Sequence, residues 1–162
     1  MIRTVLARDL RAVAREVDAY HDDETLWRTA PGIPNSAGTL ALHLAGNLEH
    51  FIGAVLGRTG YVRDREAEFA TRDLTRAEVR RRIEAAAKSV DATLAQLAPE
   101  QWEGEYPVPV AGRKLGTAGF LAHLATHLAY HLGQIDYHRR MLVPDAATVD
   151  ALSISELREY AP

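Results

Sequence analysis

The sequence contains no cysteine among its 162 residues. That absence excludes disulfides, thiolate metal sites and a cysteine nucleophile together, and leaves imidazole, carboxylate or water as metal ligands. Positive charge is not in excess either, since 19 Lys and Arg stand against 22 Asp and Glu for a formal charge of −3. The densest basic cluster, Arg80, Arg81 and Arg82, shares its segment with Glu78 and Glu84. It reads as a solvated helix face, so nucleic acid is not an expected partner. No run approaches the roughly 18 apolar residues that cross a bilayer. Arg8, Asp9 and Arg11 interrupt what would be the apolar core of an N-terminal signal. The expectation is a cytoplasmic protein with no membrane partner.

What is present is a globular composition, 47 % hydrophobic and 25 % charged, in a length that fits one domain over residues 1–162. Apolar spacing predicts four long helices. Leu6, Leu10, Val13, Val17 and Tyr20 follow steps of four and three, one face of a helix ending near His21. Pro31, Gly32 and Pro34 follow in a loop where Trp27 is an expected anchor. A second helix starts after Asn35-Ser36 and runs to about Leu56, with a seam of Leu40, Leu44, Asn47, Phe51 and Val55. Residues 61–72, rich in both charge signs, read as an ordered loop between helices that run antiparallel or diagonal.

The third helix has the clearest start, because Thr75-Arg-Ala-Glu78 has the pattern of a capping box. Val79, Ile83, Ala86, Val90, Leu94 and Leu97 form its stripe, and Pro99 stops it. Residues 102–116 read as an irregular loop or a small hairpin, with prolines that weigh against a regular strand. The fourth helix runs from Thr117 to about Leu142, ahead of Pro144. A short C-terminal helix over Ser153 to Tyr160, capped by Ser155, completes an all-α four-helix bundle.

Histidine is unevenly placed. Of seven, His123, His127, His131 and His138 lie on the fourth helix. At about 100° per residue, His123, His131, Gln134 and His138 all fall within about 40° of His127. Phe120, Leu121, Leu124, Leu128 and Ile135 overlap this line, so the stripe is expected to face the bundle interior. A buried imidazole without a partner costs on the order of 1–3 kcal/mol, and a shared metal ion is one explanation for several. Histidines at i and i+4 can both aim a lone pair at one ion. Both His123/His127 and His127/His131 have this spacing, and spacing does not choose between them. The second helix offers His43, His50 and Asn47 for a third ligand, whereas His21 reads as exposed and a weak candidate. The bland readings are a hydrogen-bonded core histidine, for His50 or His138 above all, and a solvated stripe. Leu128 follows His127, so the general base of a zinc peptidase is missing.

Two segments carry a resemblance. Thr39-Leu-Ala-Leu-His43-Leu-Ala-Gly-Asn47-Leu resembles the first histidine motif of the DinB-like superfamily. Thr126-His127-Leu-Ala-Tyr-His131-Leu-Gly-Gln134-Ile is similar to its second. The segment Arg63-Asp-Arg-Glu-Ala-Glu-Phe69 is similar to the loop after helix two in one subgroup, and the resemblance spans about residues 1–143. It implies a metal-binding four-helix bundle, often a homodimer, with His43, His127 and His131 holding a divalent metal, zinc or nickel. Gln134 and Asn47 would then line the site or orient a ligand, and His50, His123 and His138 would be supporting or core residues.

The resemblance further implies a metal-dependent S-transferase that activates a low-molecular-weight thiol against a small electrophile. With no cysteine in the chain, the sulfur must come from the thiol. Arg63, Arg65 and Tyr130 are candidate contacts for that polar co-substrate. The other readings are a metal-hydroxide hydrolase and a non-catalytic metal-binding stress or ligand-binding module.

Overall fold

The computed structural model describes residues 1–157, and all of its regular structure is helical. Four long helices form the bundle: α1 (Ile2–Asp18), α3 (Ala37–Leu48, continued as a π-helix over Glu49–Leu56), α5 (Arg76–Gln96) and α7 (Thr117–Leu142). Three short helices sit in the connections: α2 (Asp23–Trp27), α4 (Arg65–Ala70) and α6 (Pro99–Glu103). Each long helix packs against two others, α1 and α3 both lying between α5 and α7. The core they enclose includes Leu6, Leu10, Val13, Leu44, Leu48, Ile83, Leu121 and Leu124, all essentially inaccessible. No helix among the described residues is long and apolar enough to cross a membrane.

Side-chain pairs fix the helix directions. Arg3 reaches Asp91 and Arg80 reaches Asp18, so α1 and α5 are antiparallel. His43 meets His127 while Phe51 meets Phe120, so α3 and α7 are antiparallel too. Gly53 lies against Ser89 and Gly57 against Thr93, which makes α3 and α5 parallel. This corrects the expected antiparallel or diagonal arrangement. A parallel pair forces the chain after Leu56 back along the bundle, and residues 57–75 make that return. They are also more than a loop, because Asp64 caps α4 by accepting from the Ala67 amide.

Local signals account for most helix boundaries. Ser36 accepts from the Thr39 amide and starts α3. Thr75 accepts from the Glu78 amide, but the box stays half-made, since the Glu78 carboxylate turns to Arg81 and Arg82 instead. The first helix stops at Asp18, earlier than expected, because Asp22 caps α2 four residues on. Trp27 closes α2, packs over Gly38 and donates its indole N–H to the Leu74 carbonyl at 2.7 Å. Residues 104–117 form a minimal hairpin of isolated bridges around Ala111-Gly112, where φ is +48° and +75°. Two consecutive left-handed residues are what a tight hairpin turn requires. Its Tyr106 hydroxyl donates to the Phe51 carbonyl inside the π-helix at 2.6 Å.

The C-terminal element is a single 3₁₀ turn, Ile154–Glu156, with Ser153 rather than Ser155 at its start. Arg11 and Arg15 of α1 clamp it through Glu156. Tyr160, the far end of the expected helix, lies outside the described residues.

Candidate metal centre

Three imidazoles converge between α3 and α7. His43 comes from the α3 face and His127 and His131 from successive turns of α7, with one ligand atom from each lying within 4.8 Å of the others. The Nε2 atoms of His43 and His127 are 3.4 Å apart, and those of His127 and His131 3.1 Å. Two nitrogens bound about 2.05 Å from one tetrahedral ion lie about 3.3 Å apart, so the spacing suits a shared cation.

The outer nitrogens decide which atoms face inward. His43 Nδ1 lies 3.0 Å from Glu68 Oε2. Burial alone raises the Glu68 carboxyl, but hydrogen bonds from Arg63 and then His43 outweigh it and hold the pKa below the usual value. Arg63 Nη2, which only donates, lies 3.3 Å from His43 Nδ1 but gives its hydrogen bond to Glu68 Oε2 at 2.8 Å. The shorter contact to an ionised carboxylate, which only accepts, puts the His43 proton on Nδ1 and leaves Nε2 bare. His131 Nδ1 lies 2.6 Å from Gln134 Oε1, an amide oxygen that also only accepts. His131 therefore presents a bare Nε2 as well. A single Nε2–H on His127 satisfies one of these two lone pairs and leaves the other without a donor. His127 Nδ1 is buried without a hydrogen-bond partner among the described residues in either tautomer, so it does not choose between them. A cation meets all three lone pairs at once, and the donor set fits a divalent ion of the kind imidazole favours.

The protonation states agree with this. Burial lowers the His127 imidazole to about 4, helped by the neighbouring His131 and His43. Burial lowers His131 too, against the opposing hydrogen bond of Gln134. Neutral imidazole is the form that binds metal.

Behind His43 stands a brace that the sequence reading missed. Arg63 grips Glu68 with two hydrogen bonds of 2.7 and 2.8 Å, and Glu68 is 6 % exposed. Glu68 lies on α4, 25 residues beyond His43, yet it reaches the ring because Gly46 leaves room. A Cβ on Gly46 would collide with the Glu68 carboxylate. Arg63, a candidate contact for a co-substrate, is held by this carboxylate.

Spacing left two i,i+4 pairs open on α7, and the structure brings in His127/His131. His123 is exposed and stacks on His127 with ring centres 6.2 Å apart. The stripe thus runs along the rim of the buried face rather than into the interior, since α7 turns Leu124, Leu128, Leu132 and Ile135 to the core. His50 is half-buried against Phe51 and stands outside the triad, and His21 is exposed. His138 is a core residue, tied to the Tyr20 hydroxyl at 2.7 Å and the Arg28 carbonyl at 2.8 Å. Asn47 is buried one turn beyond His43, and its Oδ1 has no partner among the described residues.

No curated protein and no solved structure matches the chain. A family model described as the DinB superfamily matches residues 6–135, which include all three imidazoles, Glu68 and Gln134. The chain belongs to the DinB superfamily.

Proposed function

We propose that the protein holds one divalent ion, zinc or nickel, on His43, His127 and His131, and works as a metal-dependent S-transferase for a low-molecular-weight thiol. The observation that carries the metal reading is the convergence of three Nε2 atoms with two Nδ1–H groups pinned outward. A divalent ion supplies Lewis acidity at such a site, keeping a thiol deprotonated at neutral pH. The protein's own part is to orient the ligands. Glu68, fixed by Arg63, locks the His43 tautomer and raises its basicity, and Gln134 does the same more weakly for His131.

The thiol is preferred to water for a reason of acid–base chemistry. The carboxylate touching the triad, Glu68, is engaged by Arg63 and lies behind His43, on the ring edge away from the convergence point. Hydrolysis needs, besides a bound hydroxide, an acid at the leaving group, and Glu68 does not face that point. A thiolate formed in advance needs no base for its attack on an electrophile. The homodimer that the resemblance implies belongs to the same proposal, and sedimentation of the purified protein tests it.

Metal content by elemental mass spectrometry, on protein purified without a histidine tag, tests the site. Near-stoichiometric metal in the wild type, lost in His43→Ala, His127→Ala and His131→Ala, is the expected result. A wild type that neither carries metal nor takes up zinc or nickel overturns it. Thiol-dependent consumption of a model electrophile by the loaded protein supports the transferase. Ester turnover without thiol supports the hydrolase instead, and metal-dependent melting with neither activity leaves a non-catalytic module.

A further inference from the structure

The chemistry around the triad's mouth bears on which thiol it takes. Of the three side chains that could contact a polar co-substrate, Arg63 is neutralised by Glu68. Tyr130 is 64 % exposed and flanks the triad from α7, its ring centre 5.2 Å from that of His131. It offers an uncharged wall. Arg65 is different.

The Arg65 guanidinium rests over the Phe69 ring at 4.9 Å and makes no ion pair among the described residues. Phe69 in turn packs on His43 with ring centres 5.0 Å apart. The two ring contacts place a positive charge within about 10 Å of the His43 ring, on a side chain held by cation–π attraction. The acids of the same segment do not cancel it. Asp64 caps α4, Glu68 is paired with Arg63 and His43, and Glu66 lies about 100° further round the helix. A planar guanidinium in this state is suited to a carboxylate.

We propose that Arg65 recognises a carboxylate of the co-substrate, so that the site takes an anionic thiol of about tripeptide size in preference to its neutral counterpart. The proposal rests on the thiol reading above. The sulfur lies at the triad, the body of the thiol runs along Phe69, and the carboxylate meets Arg65 at the outer end.

The test uses cobalt(II)-loaded protein, in which a coordinated thiolate gives a near-ultraviolet charge-transfer band. Glutathione and its diethyl ester are titrated separately, because they share the sulfur and differ in the carboxylates. The wild type is expected to bind glutathione about fivefold or more tighter than the diester, a difference that reflects one carboxylate–guanidinium contact. Arg65→Gln removes the preference, leaves diester affinity and cobalt stoichiometry unchanged, and Arg65→Lys restores part of it. Equal affinity for the two thiols, or an unaltered preference in Arg65→Gln, overturns the role of Arg65 and leaves the thiol reading standing. Cobalt uptake with no thiolate band from either compound overturns both.

Discussion

Helix α7 carries two polar clusters, and they are built on opposite principles. At its C-terminal end His138 has both ring nitrogens engaged, one by the Tyr20 hydroxyl and one by the Arg28 carbonyl. The adjacent Arg139, 1 % exposed, binds Glu16 and the Ala147 carbonyl. Two turns earlier, His127 and His131 point lone pairs at one another and at His43, with too few protons among them. The first cluster is closed by the chain itself, apart from Glu16 Oε1, which has no partner among the described residues, and holds α1, the α1–α2 turn and the C-terminal segment to α7. The second is left open in a way that calls for a cation. Histidines on one helix face thus divide by whether the protein completes their hydrogen bonding.

The division predicts that the two clusters respond unequally to mutation. The largest effect belongs to the closed one. Arg139→Met leaves the Glu16 carboxylate buried without its partner, and breaking a buried pair in this way costs about 3–5 kcal/mol. Denaturant unfolding of metal-free protein should show this loss, and His127→Ala a much smaller one. Comparable losses would erase the distinction. His138→Phe is next, expected to destabilise by about 1–3 kcal/mol through the stranded Tyr20 hydroxyl and Arg28 carbonyl. Its metal stoichiometry should match the wild type.

Within the open cluster, support is also unequal. His43 is backed by an ionised carboxylate that is itself clamped, whereas His131 is backed by a neutral amide on the exposed rim. Glu68→Gln should therefore lower zinc affinity about 10- to 100-fold in competition with a chelator. Gly46→Ala should act in the same direction by displacing Glu68. Gln134→Leu should cost less than Glu68→Gln. The reverse order would place the more important brace on α7.

How far the sequence reached follows the same line between local and non-local causes. The limits of α7, the Ser36 cap of α3 and the Thr75 cap of α5 are written in residues within one turn, and they were legible. The helical stripes were legible as faces, but a face has no direction. The parallel pairing of α3 with α5 therefore did not follow from them. The π-helix over Glu49–Leu56 has no marker in its apolar run either, and the Tyr106 hydroxyl that enters it comes from the distant hairpin. At the site, i,i+4 spacing allowed two pairs, and only the position of His43 selects one. Glu68 was missed because its contact with His43 is made through the return segment. The available signal was Gly46, a residue without a side chain on a helix otherwise buried along its whole length, followed by an acid-rich segment.

The smallest predicted effect, read in each protein as the change on adding zinc, is in the acid limb of stability. Burial first, then His131 and His43, depress the His127 imidazole to about 4, below the value near 6.5 expected of the unfolded chain. Between these values the unfolded state binds more protons than the folded one, so stability is complete above about pH 6.5 and declines as pH falls toward 4. Burial depresses His138 in the same sense, though its hydrogen bond to the Arg28 carbonyl opposes the shift. Both clusters therefore contribute acid sensitivity in metal-free protein. Zinc distinguishes them, since protons compete with the ion at His127 but not at His138. Added zinc should steepen the loss of stability below pH 6.5 in the wild type and leave the slope of His127→Ala unchanged. If zinc steepened both equally, the ion would be held somewhere other than the open cluster.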